Sequence, residues 1–319
     1  MRDIGLSWSE KYRPSRLGEV IGQQAIIEKL KAFVLAKNFP SMIFAGPAGV
    51  GKTTSALAMA RELYGEKMNE ALLELNASDS RGIDVVRGRV KEFARTLPLS
   101  GDLIKIIFLD EADALTPEAQ HALRRTMEKY SSTTRFILSA NYSNKLIEPI
   151  QSRCIVLRFK HLNEEEMGLY VKKIADSEGL KLDSKALEAL IYVSEGDLRM
   201  LTNVLQSAAV SSDTISERDI YDIAARARPK EISAMLRYAL SGDFEKANNE
   251  LNALLLSYGM SGEDVLVQCY REAMNLSVDE ALKLRLISEI GEYNFRIVEG
   301  ANERIQLEAM IAKLALLKR

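Results

Sequence analysis

Residues 41–53 read SMIFAGPAGVGKT, and this stretch decides the fold. The short apolar run Ser41–Ala45 leads into the pattern G-x-x-x-x-G-K-[ST] at Gly46–Thr53, and a helix-forming run follows it. The glycines let successive backbone N–H groups turn toward a phosphate, and the dipole of the following helix favours the same anion. A glycine turn beside a surface lysine is the plain alternative, but the flanking strand and helix favour a phosphate-binding loop.

The residue types within this loop predict a nucleoside triphosphate site. Lys52 has the reach to contact β- and γ-phosphates, and the Thr53 hydroxyl can ligate Mg²⁺. ATP and Mg²⁺ are therefore the predicted cofactors. The predicted nucleotide-binding residues of the loop are Gly46, Pro47, Gly49, Val50, Gly51, Lys52, Thr53 and Thr54.

Two adjacent carboxylates end a second apolar run, because Ile106–Asp113 reads IIFLDEAD. At a strand end beside a phosphate loop, Asp110 can hold Mg²⁺ together with Thr53, and Glu111 can activate the attacking water. The alternative is that both carboxylates are solvated residues of the turn after the strand. The pairing with the phosphate loop favours the catalytic interpretation.

Five apolar runs in the first half of the chain alternate with helical stretches, which predicts an α/β domain with a parallel sheet. Their near-continuous apolarity predicts strands that are covered on both faces. After residue 159 the apolar residues recur at helical spacing, so we expect an α/β domain over 1–161 and helical domains over 162–228 and 229–319. The five runs are Ser41–Ala45, Leu72–Asn76, Ile104–Leu109, Arg135–Ala140 and Cys154–Phe159.

The composition excludes several classes of protein. Of 319 residues, 47% are hydrophobic and 28% are charged, which is typical of globular rather than disordered chains. The 43 basic and 45 acidic residues nearly balance, so any nucleic-acid contact requires a local basic patch. Cys154 and Cys269 form no CxxC pair, which argues against a zinc knuckle or a disulfide framework. No apolar stretch is long enough for a membrane span, and we expect a cytoplasmic protein with no membrane partner.

Further short motifs accompany the phosphate loop and the LDEAD sequence. They are WSEKYRP at Trp8–Pro14, NASD at Asn76–Asp79, RGIDVVR at Arg81–Arg87, QHALRRTME at Gln120–Glu128, SANY at Ser139–Tyr142, SRC at Ser152–Cys154 and GDLR at Gly196–Arg199. Together these motifs resemble the replication factor C small subunits, which are AAA+ ATPases of sliding-clamp loaders. The resemblance implies a five-stranded AAA+ P-loop core, followed by a helical lid domain and a helical collar domain.

The resemblance also implies roles for single residues. Asn141 matches the sensor that touches the γ-phosphate or the attacking water, and Arg199 matches the second sensor. Arg153 matches the arginine finger that the family inserts into the ATP site of the neighbouring subunit. A further set matches the adenine-side segment, although from the residues alone it could equally anchor a core: Tyr12, Arg13, Pro14, Val20 and Ile21.

A basic stripe is the candidate DNA-binding feature. Arg87, Lys91 and Arg95 stand at i, i+4 and i+8, so a helix places them on one face, which taken alone is a solvated surface. The resemblance matches Arg81, Arg87 and Lys145 with positions that follow the DNA backbone. We therefore expect phosphate contacts that sense duplex shape without reading sequence.

The function implied by the resemblance is that of an ATPase subunit of a DNA clamp loader, which opens the sliding clamp and places it on primer–template DNA during replication. The implied partners are a large subunit, further copies of this chain in a ring or spiral of five, the clamp and primer–template DNA. One alternative is a hexameric AAA+ DNA motor such as a branch-migration helicase. Another is a subunit that binds nucleotide without turnover, which the intact Lys52, Asp110, Glu111 and Arg153 count against.

Overall fold

The structure is a computed structural model that describes residues 6–78, 86–96 and 104–316, the side chains of Val86 and Arg87 excepted. Arg81, a predicted DNA contact, lies outside the described residues. The chain forms two compact units, the first comprising Met1–Lys181 with Ser194–Gln206 and the second Leu182–Val193 with Ser207–Arg319. The predicted lid range 162–228 is divided between the two units, and the three-domain division stays a prediction.

The first unit is built on a five-stranded parallel sheet in the order β2-β3-β4-β1-β5. Its strands are β1 (Met42–Ala45), β2 (Leu72–Asn76), β3 (Lys105–Asp110), β4 (Thr134–Ala140) and β5 (Ile155–Arg158). Each strand lies within one residue of its predicted run. The α/β class and the five-stranded P-loop sheet predicted from the sequence are confirmed.

The prediction that all five strands are covered on both faces holds only for the three inner ones. Every residue of β1 is buried, as are Ile107 of β3 and Leu138 of β4. The edge strands differ, because Glu74 of β2 and Ile155 of β5 are exposed. An edge strand has one neighbouring strand instead of two, so more of its surface is exposed to solvent. The apolar sequence of a strand does not reveal whether the strand lies at an edge.

Helices flank this sheet in the first unit. Ala119, Leu123 and Met127 on the helix Pro117–Lys129 are buried against the same hydrophobic cluster as Ile43 and Leu138. The α-helices are Trp8–Lys11, Gln24–Ala36, Lys52–Tyr64, Met68–Ala71, Lys91–Arg95, Pro117–Lys129, Glu148–Gln151 and Glu164–Glu178, and Leu198–Ser211 begins in this unit. Short 3-10 turns cover Leu17–Glu19, Gly65–Lys67, Ala112–Ala114 and Ser143–Lys145, and a π-turn covers Val86–Val90.

The second unit is helical, as the spacing of its apolar residues predicts. Its core gathers fully buried side chains such as Ile232, Leu286 and Leu307. Its helices are Ser184–Ser194, Glu217–Ala224, Pro229–Ser241, Phe244–Leu256, Gly262–Asn275, Glu280–Val298 and Glu303–Leu316. The two-residue strands Lys181–Leu182 and Thr214–Ile215 were not predicted, because so short a pairing leaves no pattern in the sequence. Of the helices in the described residues, none has the length and apolarity to cross a membrane.

Candidate functional site

The loop Gly46–Gly51 joins the carboxyl end of β1 to the helix Lys52–Tyr64 and is packed closely on both sides. A Cβ atom on Gly46 would lie 2.3 Å from the carbonyl oxygen of Phe159. A Cβ on Gly49, where φ is +67°, would lie 1.7 Å from Oδ1 of Asp197. These two positions therefore require glycine for close approach, and at Gly49 also for the left-handed backbone.

Lys52 is the first residue of the helix that follows this loop and is 8% exposed. Its Nζ donates hydrogen bonds to the carbonyl oxygens of Gly46 (2.7 Å) and Pro47 (2.6 Å) and to Oδ1 of Asn141 (3.0 Å). Burial lowers the pKa of Lys52, and the carboxylate of Asp110 offsets part of that effect. The structure thus brings the loop lysine and the predicted sensor Asn141 into direct contact.

The predicted metal ligands are also adjacent. The Thr53 hydroxyl donates to Oδ2 of Asp110 at 2.6 Å, and the Asp110 carbonyl accepts a hydrogen bond from Ala77 at 2.8 Å. A hydroxyl and a carboxylate are the hard oxygen donors that Mg²⁺ prefers, and a triphosphate and water complete its shell in such sites. This pair fits Mg²⁺ without a larger acidic cluster, and the described residues contain no group of three potential metal ligands from His, Cys, Asp and Glu.

Glu111 follows Asp110 and has a left-handed backbone conformation. Its φ is +53°, its amide donates to Oδ1 of Asp110 at 3.0 Å, and it is exposed. A left-handed turn at a non-glycine residue is uncommon and is a feature of functional sites. The Asp110 side chain accepts the hydrogen bond of Thr53, and Glu111 lines the same pocket while remaining exposed to solvent.

Most of the predicted nucleotide-binding and catalytic residues line one concave pocket in the first unit. Those that do are Arg13, Pro14, Val20, Ile21, Gly49, Gly51, Lys52, Thr53, Thr54, Asp110, Glu111, Asn141 and Arg199. Those outside the lining are Tyr12, Gly46, Pro47, Val50 and Arg153. The carbonyl groups of Gly46 and Pro47 serve the pocket indirectly by holding Lys52, and the Val50 side chain is buried.

Tyr12 is placed as an anchor and not as a pocket wall. Its hydroxyl donates to Oε1 of Glu178 at 2.5 Å, and its ring meets Trp8 edge-on with centroids 6.2 Å apart. Lys11 Nζ donates to the same Glu178 oxygen at 2.6 Å. Tyr12 therefore ties the segment that carries Arg13 and Pro14 to the helix Glu164–Glu178. The pairing with Glu178 could not be read from the local sequence.

Several pocket residues were missed by sequence reasoning. Tyr170 and Lys173 come from the helix Glu164–Glu178, whose approach to the phosphate loop depends on tertiary packing. Thr202 lies one turn after Arg199 on the same helix face, so its position could have been found from helical spacing. The other missed residues are Ser9, Glu10, Glu19, Ala48, Ser139 and Leu198.

Of the candidate DNA-binding residues, Lys145 lies in a surface turn. Lys145 is exposed in the turn Ser143–Lys145, four residues after the sensor Asn141, and its Nζ lies 4.9 Å from the centre of the Tyr142 ring. The amide of Tyr142 donates to Oδ2 of Asp113 at 3.2 Å, which ties this turn to the LDEAD segment.

The basic stripe is described only in part. Lys91 and Arg95 are exposed on their helix, as predicted for one face of it. The backbone of Arg87 lies in the π-turn Val86–Val90, and its side chain is among those not described.

Arg153 lies on the surface and is held by specific partners. Its Nη2 pairs with Oε1 of Glu128 at 2.5 Å, and its Nη1 donates to the Pro149 carbonyl at 2.7 Å. Glu128 also pairs with Arg124 on its own helix, at 3.2 Å. Arg153 is therefore oriented at the surface and stands apart from the pocket of its own chain.

Two family models match the chain. The model of the ATPase family associated with various cellular activities (AAA) covers residues 42–162, and the replication factor C C-terminal domain covers 227–313. The chain is 53% identical over 311 residues to the replication factor C small subunit of Methanococcus maripaludis, covering 98% of this chain and 99% of the relative. It is 52% identical over 310 residues to that of Archaeoglobus fulgidus, covering 97% of each.

The fold is also similar to that of a solved structure. Thermotoga maritima RuvB, described as a Holliday junction branch migration motor, superposes with a TM-score of 0.56 and 19% sequence identity. The similarity covers 81% of this chain and 91% of that one. At this level of identity the likeness shows a shared fold and carries no functional conclusion.

Proposed function

The chain belongs to the replication factor C small-subunit family, and from this premise we propose that it is an ATPase subunit of a DNA sliding-clamp loader. It couples ATP binding and hydrolysis to opening of the clamp and its placement on primer–template DNA during replication. The observation that carries the proposal is 53% sequence identity to such a subunit over 98% of this chain. The phosphate loop is intact, and Lys52 Nζ lies 3.0 Å from Asn141 Oδ1.

Each residue of the pocket has a defined task in the proposed reaction. Lys52 binds the β- and γ-phosphates, and the loop amides complete the cradle. Thr53 and Asp110 would hold Mg²⁺, which would neutralise the charge that develops on the phosphates. Glu111 accepts a proton from the attacking water, and Asn141 orients that water or the γ-phosphate. The contacts of Thr53 with Asp110 and of Lys52 with Asn141 support these assignments.

Arg153 acts on the ATP site of a neighbouring subunit. The support for this role is its exposed position, away from the pocket of its own chain. An arginine supplied in this way stabilises the transition-state charge and raises turnover by about 10³–10⁵-fold in related nucleotide hydrolases. The proposed assembly is a ring or spiral of five subunits, built from copies of this chain and a large subunit.

DNA is held through its phosphate backbone. Lys145 supports this proposal because it is exposed and four residues after Asn141, so contact with a phosphate would act on the turn that follows the sensor. Arg81 and Arg87 are proposed to extend the contact along the duplex. Such contacts respond to salt and to helical shape and are indifferent to base sequence.

The proposal is tested by the ATPase rate with primer–template DNA, with and without a sliding clamp. The protein is assayed alone and with a co-purified large subunit. Joint stimulation by clamp and DNA is expected in at least one assembly. Turnover that ignores the clamp but rises with junction or forked DNA would overturn the proposal in favour of a hexameric DNA motor.

A further inference from the structure

The helix that carries Arg199 begins in a turn that is unusually well defined. Glu195 (φ +54°) and Gly196 (φ +83°) reverse the chain ahead of the helix Leu198–Ser211. Asp197 then accepts hydrogen bonds at Oδ1 from the amides of Arg199 (2.7 Å) and Met200 (3.0 Å). Asp197 is therefore the N-cap of this helix, and its carboxylate fixes the first turn, to which Arg199 belongs.

The same carboxylate also lies against the phosphate loop. A Cβ on Gly49 would meet Oδ1 of Asp197 at 1.7 Å and its Cγ at 2.1 Å, so the side chain lies directly against the Gly49 backbone. The amide of Leu198 donates to the Gly49 carbonyl at 3.1 Å. One of the amides that lack a partner within the helix is thus satisfied by the loop. The start of this helix therefore packs directly against the Gly49 backbone and leaves no space for a side chain on Gly49.

The contact between Asp197 and Gly49 lies beside residues that line the nucleotide pocket. Arg199 and Lys52 both line the nucleotide pocket, and Gly49 lies three residues before Lys52 in the loop. Burial is the main cause of the lowered pKa of Lys52, and the charges of Arg199 and Asp197 act on it in opposite directions. Asp197 therefore touches the loop on one side and holds the Arg199 backbone on the other.

We propose that Asp197 is a positioning residue that fixes Arg199 relative to the phosphate loop through its contact with Gly49. A shift of the loop on binding a triphosphate is passed through this contact to the start of the helix, and so to the Arg199 side chain. The inference rests on the proposed function, because it assigns Arg199 to the nucleotide.

Two sets of variants test the proposal, using the full chain in its loader assembly and Mg·ATP as the probe. The first set compares D197A with D197N, which keeps an N-cap of similar strength. Its matched control is D279A, because Asp279 caps the helix Glu280–Val298 through the amide of Leu282 at 2.9 Å and lies in the second unit. The second set is a double-mutant cycle of G49A, D197G and G49A/D197G, in which the double variant lacks the carboxylate that occupies the space of the new methyl group.

We expect D197A to raise the ATP Kd or lower kcat by about fivefold, which corresponds to the free energy lost when one helix N-cap is removed. D197N should keep both constants within about twofold of those of the parent. D279A lowers the melting temperature and leaves both constants unchanged. G49A weakens ATP binding by about tenfold or more, through both the clash with Asp197 and the left-handed backbone, and D197G weakens it by about fivefold. The loss in G49A/D197G is smaller than the product of these two losses by at least about threefold, because the clash is absent from the double variant. A merely structural cap would give independent losses that multiply.

Two results would overturn the proposal. One is a D197A variant that loses only melting temperature, as D279A does. The other is a loss of ATP affinity in G49A/D197G that equals the product of the losses in G49A and D197G. The proposed function is judged separately, by turnover of the parent and its loss in R199A. A parent that hydrolyses ATP in a clamp-dependent way, together with unaffected Asp197 variants, rejects this inference and leaves the function in place.

Discussion

Replacing Arg153 with alanine separates a role in catalysis from a role in folding. In the structure the Arg153 side chain is 41% exposed and pairs with the Glu128 side chain, which is 37% exposed. Surface pairs of this kind contribute about 0–1 kcal/mol, so we expect the melting temperature of R153A to fall by a few degrees at most. If Arg153 stabilises the transition state in the neighbouring site, turnover should fall by about 10³-fold or more.

The assay is steady-state ATP hydrolysis by the assembled loader with clamp and primer–template DNA, alongside ATP affinity and thermal melting. R218A is the matched control, because Arg218 forms a comparable exposed pair with Asp222 at 3.4 Å. We expect both variants to bind ATP as the parent does and R153A alone to lose turnover. Assembly of R153A with E111Q subunits should then restore activity only at interfaces that pair an intact Arg153 with an intact Glu111. An R153A loader that hydrolyses ATP at the parent rate would show that Arg153 does not act on the neighbouring ATP site.

Three further predictions follow from the site and its surroundings. E111Q should keep the ATP affinity of the parent and slow hydrolysis by about 10²–10⁴-fold, because it retains the side-chain shape but cannot accept the proton; single-turnover rates near those of the parent would reject Glu111 as the base. K145A should weaken the stimulation of the ATPase by DNA and reduce the slope of log DNA affinity against log salt concentration by about one. R81A/R87A should reduce this slope further. An unchanged slope in K145A would show that Lys145 makes no phosphate contact. Burial raises the pKa of Cys154 to about 12 and raises that of the fully buried Cys269 as well, so neither thiolate is populated near neutral pH. Native protein should therefore react slowly with a thiol reagent at pH 8 and faster with each step toward pH 12, and a rapid reaction of one equivalent at pH 8 would contradict the buried environment of Cys154.

The sequence is most informative where function and local structure coincide. The strand, glycine loop and helix around Gly46–Thr53 form as predicted, because turn geometry and helix start are encoded in consecutive residues. Asp110 ends its strand beside Thr53, since the carboxyl ends of parallel strands meet at one edge of the sheet. Asn141, the predicted sensor, follows the same rule directly after β4 and contacts Lys52.

What could not be predicted depends on contacts between distant segments. Tyr12 carries no local sign that its hydroxyl bonds Glu178, 166 positions away. The pocket wall formed by Tyr170 and Lys173 likewise depends on how one helix packs against the loop. Exposure of Glu74 and Ile155 follows from the order of strands in the sheet, which the apolarity of a single strand does not encode.

The contact between Gly49 and Asp197 is the clearest example of this limit. Each residue belongs to a recognisable motif, and each has a local reason to be there, the glycine in a turn and the aspartate at a helix N-cap. Only the folded chain shows that the Asp197 carboxylate occupies the space that a side chain on Gly49 would need.

The most direct test of the clamp-loading function is transfer of a labelled sliding clamp onto circular primed DNA by the assembled loader. We predict that clamp becomes stably linked to the DNA in the presence of Mg·ATP, that a loader containing K52A subunits fails to transfer it, and that E111Q subunits bind clamp and DNA but release them slowly. Clamp transfer that proceeds equally with K52A subunits, or that is absent from every assembly containing the parent chain, would contradict it.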